Sequence, residues 1–264
     1  MRIVMAAADA CQKRIDRMIT DNSPNLLDLS GKKILITGAA GGIGSATAQL
    51  CAQHGARLVL VDIVSPEETA ERVGDASRDA EIHSIDMSHR LPVDEMAAKV
   101  GPIYGLIDTA AIAPFDDWMA DDWEASLDRV IAVNVKGPIN VTRAFLPGMS
   151  ARGEGRIVLC GSVAGWMGGV RSGPHYAFSK GGLHAFVRWL SRQGAPHNVL
   201  VNGIAPGPVD TAMTQGQGYD PEQYPLGRMA APKEVAAAAL YLCSASAGYF
   251  SGAFLDINGG VYFH

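Results

Sequence analysis

Long apolar runs, runs of one charge and closely spaced cysteines are all missing from this sequence. Its 264 residues carry a formal net charge of −5 without any long run of Lys or Arg, which argues against nucleic acid or anionic membranes as partners. No apolar run is long enough to cross a bilayer. The four cysteines, Cys11, Cys51, Cys160 and Cys243, are widely scattered. We therefore expect reduced, buried thiols in a cytoplasmic protein, with no zinc knuckle, redox pair or other metal site.

The composition that is present is typical of a well-buried enzyme or binding protein. Hydrophobic residues make up 48% of the chain, charged residues 19%, and there are 30 glycines. No linker-like stretch divides the chain, so we predict one domain over residues 29–264. Residues 1–28 form an N-terminal extension whose apolar residues fall near helical spacing. The alternatives there are a docked amphipathic helix and a partly ordered extension.

Short apolar runs alternate with helical patterns along most of the chain, which predicts a doubly wound α/β Rossmann domain. Continuous apolar strands are buried on both faces, so the sheet should be mostly parallel, with seven strands and helices on both faces. The segment from about 208 to 229 lacks regular patterning and is predicted to be a substrate loop. The predicted strands are Lys33–Thr37, Arg57–Asp62, Glu81–Asp86, Gly105–Ala110, Arg156–Cys160, Val199–Ala205 and Phe254–Ile257. The predicted helices include Ile43–His54, Asp121–Met149, Pro174–Gln193 and Lys233–Ser244.

A glycine-rich turn follows the first predicted strand, in the sequence TGAAGGIG. Gly38 permits a tight exit from the strand, Gly42 lets backbone amides approach a pyrophosphate, and Gly44 allows close helix packing. Asp62 ends the next strand, where a carboxylate can accept hydrogen bonds from both ribose hydroxyls and repel a 2′-phosphate. The pattern predicts an NAD site. No Gly-Lys-Ser/Thr follows the turn, which excludes a P-loop.

Three further residues form a candidate catalytic group. Ser162 ends a strand, and Tyr176 and Lys180 lie four residues apart on one face of a predicted helix. A free phenol has a pKa of about 10, and a neighbouring cation favours the phenolate. The lysine would therefore let the tyrosine move protons while the serine holds a substrate oxygen.

In this order the motifs resemble the short-chain dehydrogenase/reductase family, from about residue 29 to the C-terminus. TGAAGGIG is similar to the family's cofactor turn, VNVKG to its asparagine motif, GSVAG to its serine motif, YAFSK to its YxxxK motif and NGIAPGPVDT to its PG motif. The resemblance implies Tyr176 as acid/base, Lys180 as its activating cation, Ser162 as substrate anchor and Asn134 as support for a proton-relay water. The cofactor contacts that it implies are Gly38, Gly42, Ile43, Gly44, Asp62, Ile63, Asp86, Met87, Ala110, Ala111, Tyr176, Lys180, Pro206, Gly207, Val209 and Thr211.

The chain departs from the family pattern after the fourth strand. Where the family usually has NNAG, this sequence has Asp108-Thr109-Ala110-Ala111. Asp108 either keeps a contact between strands through its carboxylate or lowers stability, and Ala111 adds a methyl group where the backbone passes the cofactor ribose. A second departure is Leu200, where the family often has Arg. The catalytic set is intact, so we expect activity to be retained.

The residues beside the catalytic group are mostly apolar and aromatic, which favours a medium-sized alcohol or ketone as substrate. His175 could contact substrate and Arg171 could pair with an anionic substrate, but we expect both to be solvated loop residues, and we expect Trp123 to pack on its own helix. The candidates for the substrate pocket are Pro114, Phe115, Trp118, Trp166, Met167, His175, Met213, Tyr219 and Tyr224.

The function predicted from the sequence is NAD(H)-dependent interconversion of a secondary alcohol and a ketone, with tyrosine as acid/base. One alternative is a beta-ketoacyl-(acyl-carrier-protein) reductase, against which Asp62 argues because biosynthetic reduction usually uses NADPH. Another is an NAD-binding sensor without turnover. Family assemblies and the extra apolar residues of the helix from Pro174 imply a homo-oligomer, which we expect to be a tetramer. The apolar C-terminus, Val261-Tyr262-Phe263-His264, could also reach a neighbour.

Overall fold

Seven parallel strands form the centre of the protein. The computed structural model describes residues 25–169 and 171–263. The strand order in the sheet is β3-β2-β1-β4-β5-β6-β7, and every neighbouring pair is parallel. The prediction of a doubly wound parallel sheet is confirmed. The strands are β1 Lys33–Thr37, β2 Arg57–Asp62, β3 Glu81–Ser84, β4 Gly105–Asp108, β5 Gly155–Cys160, β6 Val199–Pro206 and β7 Phe254–Ile257.

Two strands are shorter than predicted at their carboxyl ends. The Asp86 carboxylate accepts a hydrogen bond from the Ser88 amide at 2.8 Å, and this turn ends the extended run after β3. Beyond β4 the chain passes close to the turn after β1, where a Cβ built on Gly38 would lie 2.7 Å from the Ala110 nitrogen. Both strands therefore stop where the backbone turns towards the candidate site.

Helices cover both faces of the sheet. The predicted helix Asp121–Met149 is divided in the structure by a π-helical segment, Ala132–Lys136. A π turn holds one extra residue, so a single helical period does not describe the whole segment. The helices are α1 Gly42–Gln53, α2 Glu67–Val73, α3 Arg90–Val100, α4 Trp123–Ile131, α5 Gly137–Arg152, α6 Ala164–Met167, α7 Pro174–Gly194 and α8 Pro232–Cys243.

The core consists of two apolar layers, one on each face of the sheet. Ile36 and Ile107 belong to the layer that includes α1 and α8, and Leu35 and Leu106 belong to the layer beneath α5 and α7. All four side chains are fully buried. Neighbouring residues of one strand thus pack on opposite faces, which is why these strands read as continuous apolar runs.

The strand order reverses direction between β1 and β4, because the chain fills the β2 and β3 side first and then crosses to the other half. In open α/β sheets, ligands bind outside the carboxyl ends of the strands at such a point. The turn after β1 and the segments after β4, β5 and β6 all lie at this edge.

Residues 1–24, which contain most of the predicted N-terminal extension, lie outside the described residues. Leu29 is buried, and its amide donates to the His54 carbonyl at 2.7 Å. Within residues 25–169 and 171–263, no helix is both long and apolar enough for a bilayer span. The same residues contain no cluster of three or more His, Cys, Asp or Glu side chains arranged for a metal ion.

Candidate active site

The turn between β1 and α1 has space only for glycine at two positions. Gly38 has φ +65°, a left-handed conformation that L side chains rarely adopt. A Cβ on Gly44 would lie 2.1 Å from the Gly38 carbonyl oxygen, closer than any real Cβ contact. These two glycines let α1 begin directly against the end of β1, so the start of this helix faces the carboxyl edge of the sheet.

The N-terminus of α1 can accommodate an anionic group. Its N-cap residue, Gly41, has no side chain, and no side chain caps the first turn. Unpaired N–H groups at a helix start, together with the helix dipole, favour phosphate. Ile43 in this first turn lines the large cavity described below.

Asp62, at the end of β2, lies beside the same turn. Its Oδ2 accepts from the Ala40 amide at 3.0 Å and its Oδ1 accepts from the Ile63 amide at 2.7 Å. The carboxylate is therefore held in one orientation while staying partly exposed at the edge of the sheet. Ile63 is itself exposed beside it.

The departure from the usual family residues places a buried acid under the site. The Asp108 carboxylate ends β4 and accepts a hydrogen bond from the Thr37 hydroxyl on β1, so it keeps a contact between strands. Burial raises the pKa of Asp108, although the Thr37 hydrogen bond and the Lys180 charge oppose the rise. Ala111, the last residue of the segment Asp108-Thr109-Ala110-Ala111, lines the cavity.

Ser162, Tyr176 and Lys180 come together on the wall of one cavity. The Ser162 Oγ accepts from the Ala164 amide at 3.1 Å, which orients the hydroxyl. The buried Lys180 Nζ donates to the Cys160 carbonyl at 2.7 Å and lies 5.7 Å from the centroid of the Tyr176 ring. The helical spacing of four residues and the end of β5 therefore bring the three side chains together as the sequence predicts.

Asn134 lies at the centre of the π-helical segment. Its Oδ1 accepts from the Ile112 amide and its Nδ2 donates to the Ile112 carbonyl, both at 2.9 Å. The Nδ2 also donates to Ser179 Oγ on α7 at 3.1 Å. Asn134 thus joins the segment after β4 to the helix that carries Tyr176, and the local π turn places it there.

The cavity has a volume of about 420 Å³ and is lined mainly by apolar and aromatic side chains. It extends from the start of α1 to the loop over residues 208–229, so residues of this loop line the same cavity as the catalytic group. The predicted site residues on its wall are Ile43, Ala111, Phe115, Ser162, Met167, Tyr176, Lys180, Pro206, Gly207, Val209, Thr211, Met213, Tyr219 and Tyr224.

Four predicted pocket residues, Pro114, Trp118, Trp166 and His175, do not line this wall. Trp118 is 60% exposed. Trp166 packs on the His184 ring, with 4.1 Å between centroids, and its Nε1 donates to Asp256 at 3.3 Å. His175 is only 1% exposed, so the prediction that it is a solvated loop residue is wrong.

The burial of His175 has a clear cause. Its Nε2 lies 3.4 Å from Asp116 Oδ1 and 3.4 Å from Ser126 Oγ, and the Trp123 ring covers it at 5.2 Å between centroids. The Trp123 ring, expected to pack on its own helix, contacts His175 of α7 instead of lining the cavity.

Sequence reasoning missed several residues of the cavity wall. Val261 lines it although no motif indicates this, and the apolar C-terminus was interpreted only as a possible contact with a neighbour. Gln223 also lines it, and the only signal was its place in the predicted substrate loop. Arg171 is exposed, as expected, yet it lines the cavity too.

Comparison with known proteins agrees with this geometry. A family model described as enoyl-(acyl carrier protein) reductase matches residues 38–262. An acetoacetyl-CoA reductase of Allochromatium vinosum is 37% identical over 247 residues, covering 87% of this chain and 98% of the relative. A galactitol 2-dehydrogenase (L-tagatose-forming) of Cereibacter sphaeroides is 35% identical, covering 88% of this chain and 95% of the relative.

Among solved structures, a 3-oxoacyl-[acyl-carrier protein] reductase with bound NAD from Brucella melitensis superposes with a TM-score of 0.82 at 29% identity, covering 93% of this chain and 97% of that one. A reductase of the same name from Agrobacterium tumefaciens, with NADP bound, has a TM-score of 0.83 at 25% identity, covering 91% and 98%.

The fold and the site define an oxidoreductase that acts on CH–OH groups. The chain belongs to the short-chain dehydrogenase/reductase family.

Proposed function

We propose that this protein is an NAD(H)-dependent oxidoreductase that interconverts a secondary alcohol and a ketone. The observation that carries the proposal is the joint placement of Ser162, Tyr176 and Lys180 on one cavity wall that also includes the first turn of α1. A site that only sensed a dinucleotide would not need a hydroxyl, a phenol and an ammonium around a space for a second molecule.

The residues at the end of β1 and β2 fit a dinucleotide. The first turn of α1 has no side-chain cap and so offers its amides to a pyrophosphate, and Asp62 offers a fixed carboxylate to an adenosine ribose. Neither residues 38–44 nor residues 62–66 include a Lys or Arg that would neutralise a 2′-phosphate. These features support NAD rather than NADP.

When bound, the nicotinamide would accept or donate the hydride. We assign the remaining cofactor contacts to the residues that the family resemblance implies: Asp86, Met87, Ala110, Ala111, Tyr176, Lys180, Pro206, Gly207, Val209 and Thr211.

The protein's own groups orient the alcohol and move its proton. The Ser162 Oγ accepts from the Ala164 amide, which leaves its O–H free to donate to the substrate oxygen. Tyr176 exchanges the hydroxyl proton with the substrate. The Lys180 ammonium lies 5.7 Å from the centroid of the Tyr176 ring, beside the group that exchanges the proton.

Lys180 and Asn134 also have positioning roles. An ammonium has three donors, and the Cys160 carbonyl takes one of them, so two remain for a ribose hydroxyl or a water. Both Nδ2 protons of Asn134 are used by Ile112 and Ser179. We propose that Asn134 supports a proton-relay water mainly by fixing the Ile112 backbone.

A beta-ketoacyl thioester reductase is the second candidate, because the relatives above include an acetoacetyl-CoA reductase and 3-oxoacyl reductases. We rank it second because Asp62 would repel the 2′-phosphate of NADPH, which biosynthetic reduction usually uses. A preference for NADPH over NADH would reverse this ranking.

We also propose a homo-oligomer, a tetramer on the family pattern, in the cytoplasm. Two large apolar side chains of α7, Phe178 and Trp189, are 70% and 55% exposed. Cys51, Cys160 and Cys243 are unpaired and buried, which suits a reducing compartment. Light scattering of the purified protein gives the oligomeric state directly, and a monomer would contradict the proposal.

The test of function is NADH formation with cyclic, aromatic and aliphatic secondary alcohols, with NAD and NADP in parallel. We expect NAD-selective oxidation of at least one class. NADH binding without oxidation of any alcohol or reduction of any ketone would favour the sensor instead.

A further inference from the structure

The charged side chains on the cavity wall are unbalanced. Of the described residues that line it, Lys180 and Arg171 carry positive charge, and none is an Asp or Glu. Lys180 is buried and bound to the Cys160 carbonyl beside Tyr176. Arg171 is therefore the cation that remains for the part of the substrate that does not react.

Arg171 is held in place without being neutralised. Its Nη1 is 3.5 Å from the Gln217 carbonyl, a weak contact, and its guanidinium carbon lies 5.9 Å from the Tyr219 ring centroid. Within residues 25–169 and 171–263, no carboxylate lies within ion-pair distance of it. A guanidinium has five N–H donors, so most of them are left for another partner.

The loop around Arg171 is shaped to keep the guanidinium at the cavity. Gly218 has φ +69°, and a Cβ there would lie 3.0 Å from Arg171 Nη1. Glycine at this position lets the backbone of residues 217–219 lie close to the guanidinium. Tyr219 then contacts Phe115 edge to face, at 6.3 Å between centroids, and both rings line the cavity.

Neutral hydrogen-bond donors share the cavity wall with the guanidinium. Tyr219, Gln223 and Tyr224 all line the cavity with Arg171. Burial raises the pKa of Tyr219 and of Tyr224, while Arg171 opposes both shifts, so the phenols stay protonated near neutral pH. Tyr176 also contributes to the raised pKa of Tyr219, so this end of the cavity lies within electrostatic reach of the catalytic end. Arg171 and these three neutral side chains together offer hydrogen-bond donors and a positive charge to one group of a ligand.

We propose that Arg171 binds an anionic group of the substrate, so that the substrate is a secondary alcohol or ketone carrying a carboxylate or phosphate away from the reacting carbon. The planar fork of arginine pairs with either anion through two parallel hydrogen bonds. This inference rests on the proposed function and narrows its substrate class. The anion can be the carboxylate of a hydroxy or keto acid, or a phosphate of a thioester carrier.

The test compares charged and neutral substrates that are otherwise matched. Hydroxy acids of increasing chain length, their methyl esters and their coenzyme A thioesters are assayed at saturating NAD with the wild type, Arg171→Met and Arg171→Lys. We expect Arg171→Met to lower kcat/KM for the anionic substrates about 10- to 100-fold, mainly through KM, as for the loss of a hydrogen bond to a charged group. Methyl esters should change little, and Arg171→Lys should be intermediate.

Arg192→Met is the matched control, because Arg192 is an exposed arginine in the last turn of α7 that does not line the cavity. It should leave all three substrate series unchanged, and thermal unfolding of each variant reports on folding. If the free acids are the best substrates, the anion that Arg171 binds is a carboxylate. If only the thioesters are turned over, it is a phosphate.

Three results overturn the inference: a wild-type kcat/KM that is no higher for the free acid or the thioester than for the methyl ester, an equal loss with anionic and neutral substrates in Arg171→Met, or turnover confined to neutral alcohols. In each of these cases, oxidation of a neutral alcohol would still support the proposed dehydrogenase function. That function is contradicted only if no alcohol of any kind is oxidised.

Discussion

Replacing Asp62 with asparagine removes one charge beside the proposed adenosine ribose and leaves the size of the side chain nearly unchanged. The wild-type carboxylate is fixed by the amides of Ala40 and Ile63, at 3.0 and 2.7 Å. A 2′-phosphate placed on that ribose would lie next to this negative charge. We therefore expect Asp62→Asn to raise the efficiency with NADP and to lower it modestly with NAD, because an amide can accept from only one of its two ends.

The magnitude follows from the partial exposure of Asp62. Two unit charges about 4 Å apart interact by about 1 kcal/mol in water and about 4 kcal/mol near a protein surface, so a repulsion of about 1 to 3 kcal/mol is reasonable here. A factor of ten in rate corresponds to about 1.4 kcal/mol. The ratio of kcat/KM with NAD to kcat/KM with NADP should then fall about 10- to 100-fold.

The assay measures kcat/KM for both cofactors with one alcohol, and fluorescence titration gives Kd for NADH and NADPH. Asp75→Asn is the matched control, because it makes the same chemical change at a carboxylate that is 98% exposed on a short turn. The reasoning is refuted if the wild type uses NADP as well as NAD, or if the ratio is the same in Asp62→Asn and wild type.

Two further changes test the architecture of the site. Gly44→Ala should destabilise the protein by at least about 1 to 3 kcal/mol and weaken NADH binding, because the new Cβ would meet the Gly38 carbonyl oxygen at 2.1 Å; an unchanged urea midpoint would contradict this. Asp108→Asn should stabilise the protein more at pH 8 than at pH 4. Burial raises the folded-state pKa of Asp108, so the wild type loses stability as pH rises through that pKa, and an amide does not ionise. Urea midpoints at the two pH values measure this difference, which would be independent of pH if Asp108 were unperturbed.

Features set by local spacing could be predicted from the sequence. The buried strands appear as apolar runs because both faces of each strand are covered. The glycine turn is recognisable because backbone contacts exclude any side chain at Gly38 and Gly44. Tyr176 and Lys180 share a helix face because they are four residues apart.

Features set by contacts between distant segments could not be predicted. His175 is buried because Asp116 and Ser126 lie against it, and they come from segments about 60 and 50 residues earlier in the chain. Arg171 lines the cavity because the loop at Gln217 lies close to it. The π turn at Asn134 adds one residue to a helical period and depends on hydrogen bonds to Ile112. Each of these contacts is decided by tertiary packing.

The most direct test of the central claim separates cofactor binding from proton transfer. Tyr176→Phe removes one oxygen atom from the cavity wall and leaves the ring in place. With the best alcohol found and saturating NAD, turnover should fall about 10²- to 10⁴-fold, the usual contribution of an acid/base group, while Kd for NADH stays within a few-fold of the wild-type value. Turnover that persists in Tyr176→Phe with NADH still bound would contradict the account.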